Sequence, residues 1–274
     1  MRTVDSSESG KVPVALTIAG SDSGGGAGIQ ADLKTFQAFG VFGTSAVTAV
    51  TVQNTVGVYG VHVVPPDLVA GQIHAVCEDL APAACKSGML ADAPTIEAVA
   101  GALTRVDIGH YVLDPVMVAA SGDPLLEREA VGALKSSLMP LASLVTPNLH
   151  EAAILAEMSV RTEHEMREAA SRLVEAGCRA VLVKGGHLEA GDVVDLLFDG
   201  DRWREWRAPR LAVGNAHGTG CTLSAAIAAG LARGRTLERA VDRAVSYTRR
   251  AIASAPGLGA GSTPVNHWTD PDQD

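Results

Sequence analysis

The sequence predicts an α/β fold with a mostly parallel central sheet covered by helices on both faces. Three observations carry that expectation. Short β-type runs alternate with helical runs throughout the chain, the pattern of repeated βα units. Several of those runs end in polar or glycine-containing clusters, where open α/β sheets hold their ligands. Finally, Asn215-Ala216-His217-Gly218-Thr219-Gly220-Cys221-Thr222 feeds the apolar, Ala-rich run Leu223 to Leu231, so a glycine loop opens a helix. The first N–H groups of such a helix lack intrahelical partners and suit a phosphate. The alternative is a turn capped by Thr219.

Val12 to Ala19 is an apolar β-type run that ends at Gly20. Ser21-Asp22-Ser23-Gly24-Gly25-Gly26-Ala27-Gly28 follows, and then Ile29, Leu33, Phe36 and Phe39 recur at helical spacing up to Gly40. The glycines do not form a clean dinucleotide fingerprint and no P-loop lysine follows, so the loop reads as the wall of a small-molecule site. Asp32, one turn into the helix, either faces that site or is a solvated charge near the helix start. Val47 to Val52 is a second strand, ending in Gln53-Asn54-Thr55. An amide there offers a heteroaromatic ring both a donor and an acceptor. Val58 to Val64 is a flap or an edge strand, and Pro65-Pro66 starts a helix through Asp79.

Ala83 to Lys86 is a short strand before Ser87-Gly88-Met89-Leu90, and Pro94 begins the next helix. Tyr111 to Leu113 is a strand that delivers Asp114, a carboxylate placed for a metal or phosphate role. Ser121-Gly122-Asp123-Pro124 signals a loop or lid, followed by a helix to about Met139. Leu144-Val145-Thr146 is a strand entering Pro147-Asn148-Leu149-His150-Glu151. Asn148 and Glu151 share one helix face. They form either a water-mediated Mg²⁺ site or a capping pair. Thr162 to Ala176 is a helix closed by Gly177, and Ala180 to Val183 is a strand leading into Lys184-Gly185-Gly186-His187. Lys184 is there a candidate phosphate contact. Val193 to Phe198 and Trp203 to Ala208 make a hairpin around Asp199-Gly200. Helices over 219–233 and 237–254 follow the central loop, and the Gly-rich end from Pro256 reads as loosely ordered.

A chain of 274 residues suits one large α/β domain, read here as 12–268 between a flexible segment 1–11 and a tail 269–274. Apolar residues make up 47% and charged residues 19%, which excludes a disordered chain. The net charge of -9, without a basic run, argues against nucleic acid or an anionic membrane as partner. Phosphates must then be bound locally, by backbone dipoles, a few cations and a metal. Cys77, Cys85, Cys178 and Cys221 show no zinc spacing and suit a reducing cytoplasm. Cys221 alone sits in a glycine loop at a helix start, where thiol pKa values fall. The polar N-terminus reads as having no signal peptide, and no apolar run reads as a membrane span.

Several motifs together resemble the hydroxymethylpyrimidine/phosphomethylpyrimidine kinases of thiamine biosynthesis, in the ribokinase-like superfamily. They are Ala15 to Asp22, Gly25 to Lys34, Gln53-Asn54-Thr55, Lys86 to Leu90, Asp114 to Met117, Thr146-Pro147-Asn148, Lys184 to His187 and His217 to Thr222, in the family's order over about residues 14 to 268. The resemblance implies a three-layer α/β/α kinase with a mostly parallel sheet. It implies that Gly20, Asp32, Gln53, Met89 and Val116 surround an aminopyrimidine, with Asp32 and Gln53 on its polar edge. It implies that Asp114, Asn148 and Glu151 sit around Mg²⁺ and its waters, and that Lys184 and His217, Gly218, Thr219 and Gly220 face ATP. Cys221 stands where sugar kinases of the superfamily carry an Asp base. A monovalent cation is a further candidate, and the family implies a cytoplasmic homodimer. Two departures stand out: Ala120 where many relatives carry Lys, and His150 in place of a common Pro.

The expected reaction is ATP-dependent phosphorylation of 4-amino-5-hydroxymethyl-2-methylpyrimidine to its monophosphate and then its diphosphate. The nearest rival is a pyridoxal kinase of the same superfamily. A non-catalytic pyrimidine-binding regulator is the rival of another class, and a dinucleotide-binding oxidoreductase is a third.

Overall fold

The computed structural model describes residues 11–273 except 120–124, 128, 187, 189–190 and 212–215. Ala120, the lid signal at 121–124, His187 and Asn215 thus lie outside the described residues. The central sheet comprises β1 (Val14–Ser21), β2 (Phe42–Gln53), β3 (Val58–Val63), β4 (Ala84–Ser87), β5 (His110–Leu113), β6 (Leu144–Val145), β7 (Val181–Lys184), β8 (Val193–Phe198) and β9 (Trp203–Ala208). Their order is β3-β2-β1-β4-β5-β6-β7-β8-β9. The strands from β2 through β7 run parallel, while β3 and the β8–β9 hairpin are antiparallel additions at the two edges. The segment 58–63 is therefore an edge strand.

The inner parallel strands β1, β4, β5, β6 and β7 are covered on both faces. Alternate residues go to opposite layers. Leu16, Cys85, Leu113, Val145 and Val183 pack under α2 (Pro66–Leu80), α3 (Ala93–Leu103), α5 (Leu149–Ala156) and α6 (Glu163–Glu175). Ala15, Ala84, Val112, Leu144 and Leu182 pack under α1 (Gly28–Ala38), α7 (Thr219–Ala232) and α8 (Leu237–Ala253). α7 is buried along almost its whole length, which explains its alanines: small side chains let it lie close to the sheet and to α8.

Three expectations change. β2 starts at Phe42, earlier than its apolar stretch suggests, because Thr44 and Thr48 are buried along with Ala46. The run up to Met139 is not one α-helix. It is a single turn, α4 (Ala130–Ala133), a π-helical stretch over Leu134–Leu138 and a 3₁₀ turn over Met139–Leu141. Pro140 cannot continue a regular helix there. The Gly-rich end is packed rather than loose. Thr263–Pro264 (β11) pairs in parallel with Ala216–His217 (β10), and Ser262 N–H donates to the Thr55 carbonyl at 2.8 Å. A Cβ at Gly261 would sit 2.0 Å from that carbonyl oxygen, so its glycine serves close approach rather than freedom.

Candidate active site

The carboxyl ends of β1, β2, β4, β5, β6 and β7 open onto one cavity of about 1970 Å³. The strand order reverses between β1 and β4, and such a switch point forms the ligand crevice of an open α/β sheet. Gly20, Gln53, Met89, Val116, Asp114 and Lys184 line the cavity, and so do Glu151 and the loop 217–221. All of the sequence-predicted site residues except Asp32 line this one space.

One end is apolar with a polar margin. Met89 packs with Ala49 and Ala91, and Val116 and Leu125 lie against them. Gly20 leaves the Met89 sulfur room, since a Cβ there would come within 3.0 Å of it. Gln53 supplies the amide, its Oε1 accepting from the Thr51 hydroxyl at 3.1 Å.

The other end is cationic and rich in N–H groups. Gly218 caps α7 with φ +85, and the first helical bond runs from Thr222 N–H to the Gly218 carbonyl at 2.9 Å. The N–H groups of Thr219, Gly220 and Cys221 precede that bond and belong to the anion-binding end of the helix. Lys184 leaves β7 to reach this loop, its Nζ donating to Asp114 Oδ1 at 2.9 Å and lying 4.0 Å from Glu151. Lys184 and Asp114 approach Gly220: a Cβ there would be 3.3 Å from Nζ and 3.5 Å from Oδ2. Asp114 also accepts from Ser224 at 3.2 Å and Thr146 at 3.3 Å. Burial works against its charge, but Lys184 and Lys86 outweigh it and hold its pKa below the ordinary value.

Of the two readings of Asn148 and Glu151, the structure forms the capping box. Asn148 Oδ1 accepts from Glu151 N–H at 3.0 Å, and Glu151 Oε2 accepts from Asn148 N–H at 2.8 Å. The box engages Asn148 Oδ1 and Glu151 Oε2 alike, and both residues line the cavity. Among the described residues no three His, Cys, Asp or Glu converge to hold a metal directly. The oxygens of Asp114 and Glu151 fit a hard cation held through water and phosphate oxygens.

Burial raises the Glu151 pKa to about 7, with Asp114 adding to the rise and Lys184 opposing it. The folded protein then holds this proton between about pH 4.5 and 7, where the unfolded chain has lost it. Its contribution to stability therefore falls as pH rises through that window. In chelator-treated protein the urea midpoint should drop between pH 5 and 7, and Glu151→Gln should flatten the drop. An unchanged slope in the variant would remove Glu151 as its source.

Three residues depart from their expected places. Asp32 does not line the cavity. It is fully buried, accepts from Lys86 Nζ at 2.9 Å on both oxygens and from the Thr17 hydroxyl at 2.6 Å. A fully buried strand lysine must be paired, and an early-helix aspartate, itself fully buried, supplies the partner. His217 lines the cavity, but its Nε2 lies 3.0 Å from Asp22 Oδ2 and 3.3 Å from Gln53 Nε2. It ties the glycine loop to the anion loop instead of turning its ring to a phosphate. For Cys221 the expected lowering at a helix start does not win. Burial pushes the thiol up to about 11 against the pull of Lys86, so it is protonated at neutral pH.

Asp22 and Lys86 emerge as site-building residues to which the sequence reading assigns no role. Asp22 gathers the N–H groups of Gly24, Gly26 and Ala27 at 2.8–3.0 Å and so shapes the glycine loop. The signal was there: an aspartate leading a glycine run captures backbone N–H groups.

The family model of phosphomethylpyrimidine kinase matches residues 22–266. The chain is 49% identical over 257 residues to the hydroxymethylpyrimidine/phosphomethylpyrimidine kinase of Escherichia coli, covering 93% of this chain and 97% of the relative. It is 53% identical over 252 residues to the thiamine biosynthesis bifunctional protein ThiED of Geobacter sulfurreducens, covering 92% of this chain and 51% of that protein. The chain thus spans about half the length of this second relative. Among solved structures, the pyridoxal kinase from Staphylococcus aureus in complex with AMP-PCP and pyridoxal superposes with a TM-score of 0.87 at 32% identity, covering 94% of each chain. A match running from the aspartate of the glycine loop to the strand that closes over it leaves one assignment: the chain belongs to the phosphomethylpyrimidine kinase family, with a ribokinase-like fold.

Proposed function

We propose that this chain uses ATP to phosphorylate 4-amino-5-hydroxymethyl-2-methylpyrimidine at its hydroxymethyl oxygen, and then phosphorylates that monophosphate to the diphosphate used in thiamine diphosphate biosynthesis. One observation carries the reading. An apolar shelf with an amide margin and a cationic helix start with a lysine share a single cavity. The aminopyrimidine rests on Met89 and Val116 beside Gly20, with Gln53 on its polar edge. The ATP phosphates meet Lys184 and the N–H groups of residues 218–221. Asp114 and Glu151 would hold Mg²⁺ through water, and the ion supplies charge neutralisation on the β- and γ-phosphates when bound. Fixed N–H donors and Lys184 stabilise the charge that spreads over the transferred group. In the second step the acceptor is already an anion and needs no base.

Pyridoxal is the second reading, favoured by the likeness to a pyridoxal kinase. Equal concentrations of the two acceptors under one ATP concentration separate them. The kcat/KM for the hydroxymethylpyrimidine is expected to exceed that for pyridoxal by at least tenfold, and the reverse order would transfer the assignment. Binding without ADP formation would revive the non-catalytic regulator.

The activity resides in the domain over 12–268, and the working state is a cytoplasmic homodimer. The β2–β3 edge supports the dimer: Val50 and Val52 on one face, and Val61, paired with Thr51, on the other, are exposed apolar side chains, as is Tyr59. Sedimentation should give a dimer that Val52→Glu weakens, whereas a monomeric parent protein would contradict it. Among the described residues no helix is long and apolar enough to cross a membrane.

A further inference from the structure

The chain after α8 has no part in the reaction as described, yet residues 259–267 form a strap that holds loops from both ends of the site. At the acceptor end the strap holds Thr55, which follows Gln53 and Asn54. Ser262 N–H donates to the Thr55 carbonyl at 2.8 Å, and Gly261 N–H donates to the Thr55 hydroxyl oxygen at 3.3 Å. At the phosphate end Thr263–Pro264 pairs in parallel with Ala216–His217, and Val265 N–H donates to the His217 carbonyl at 3.3 Å. His217 leads directly into Gly218, the cap of α7. His267 Nε2 then lies 3.1 Å from the Thr222 hydroxyl in the first turn of α7. The strap is itself fixed to α8. Asn266 N–H donates to the Ala251 carbonyl at 2.9 Å, and the Tyr247 hydroxyl donates to the His267 carbonyl at 3.3 Å. Gly259, Ala260 and Gly261 are exposed, and Val265 alone of the strap's side chains is buried. Backbone bonds to the site loops, more than core packing, therefore define its place.

We propose that this strap is a positioning element, with Gly261 its closest-fitting residue, that sets the spacing between the acceptor and the ATP phosphates in both phosphorylations. The inference rests on the kinase reading given above. Reacting atoms must be held about 3–3.5 Å apart and aligned, and a misplacement of about 1 Å costs on the order of a hundredfold in rate. Phosphoryl transfer depends on such positioning almost entirely. The acceptor end and the phosphate end come from loops far apart in the sequence, so their spacing is set by what joins them. The His217 ring is one link, with Nε2 3.3 Å from Gln53 Nε2. The strap is the other, through backbone bonds to Thr55 and His217. Its fit to Thr55 is tight. A Cβ at Gly261 would lie 2.0 Å from the Thr55 carbonyl oxygen, whereas ordinary contact begins at 3.4 Å. Gly261→Ala must therefore part the strap from Thr55 by more than an ångström. The alcohol and its monophosphate occupy the same acceptor end, so both steps feel the change.

The test compares two glycines of this end in the whole protein. Gly261→Ala is expected to lower kcat by at least about tenfold for the alcohol and for its monophosphate alike. KM for ATP, and ADP binding measured by calorimetry, are expected to stay within about threefold of the parent, because the phosphate end keeps its own contacts. Gly257→Ala is the control. Gly257 has φ +67, and nothing lies within 4 Å of its added Cβ, so the substitution strains the chain just before the strap without parting it from Thr55. It is expected to keep the parent's kcat. Should Gly261→Ala fail to fold, Ser262→Pro removes the N–H that reaches the Thr55 carbonyl and is expected to give the same loss of kcat without loss of ADP binding. A kcat equal to the parent's in the folded variant, an equal loss in Gly257→Ala, or a loss carried by KM for ATP would overturn the proposal. A parent protein that phosphorylates pyridoxal instead changes the acceptor and leaves the comparison of variants intact. A wrong acceptor and an idle strap thus give different results.

Discussion

Gly218→Ala should lower kcat/KM for ATP by at least about a hundredfold, the scale of losing one well-placed oxyanion donor. Gly218 has φ +85, a left-handed backbone that disfavours any L side chain, and an added Cβ would meet the Gly26 carbonyl oxygen at 1.9 Å. The two glycine loops touch there, so the substitution must part them. Parting them displaces the N–H groups of residues 219–221 and breaks the register of His217 with Asp22. The stability cost should be about 1–3 kcal/mol, from backbone strain and the clash together. Gly234→Ala is the control. Gly234 also has positive φ, at +74, but nothing lies within 4 Å of its added Cβ. It should lose stability with unchanged kinetics. Steady-state kinetics and thermal melts on both variants check this. If Gly218→Ala loses only stability, the loop contact is not part of phosphate binding.

Cys221→Ala is the second large effect, and it is a difference between steps. The first phosphorylation should slow by about ten- to a hundredfold, below the usual range of a general base because transfer through a loose transition state asks little of one. The second should lose at least tenfold less. The thiol is held protonated near neutrality by burial, so the first step of the parent protein should also quicken toward higher pH. Separate assays with the alcohol and with its monophosphate check this. Equal losses in the two steps would assign Cys221 a purely positional part.

Strand-to-helix alternation is legible in the sequence because the inner parallel strands are buried on both faces, so runs such as Val181 to Val183 are apolar throughout. The site is legible to the extent that its members sit at strand ends. Gln53, Asp114 and Lys184 all follow apolar runs, and each lines the cavity. What no local pattern carries is pairing at a distance. Lys86 finds Asp32 across 54 positions, and His217 finds Asp22 across 195. Asp32 looks like a ligand contact until its partner is known, and His217 looks like a phosphate contact for the same reason. The Gly-rich end misleads differently. Glycine signals freedom in composition, but Gly259 and Gly261 are small because they press against Thr55. Cys221 shows two physical effects in competition, with the helix start favouring a thiolate and burial opposing it more strongly.

The most direct measurement is a time course of products. The protein is incubated with 4-amino-5-hydroxymethyl-2-methylpyrimidine and Mg-ATP, and the mono- and diphosphate are followed by mass spectrometry. The account predicts that monophosphate rises first and then falls as diphosphate accumulates, with two ADP formed per diphosphate. Failure to form either product, with pyridoxal phosphorylated instead, would contradict it.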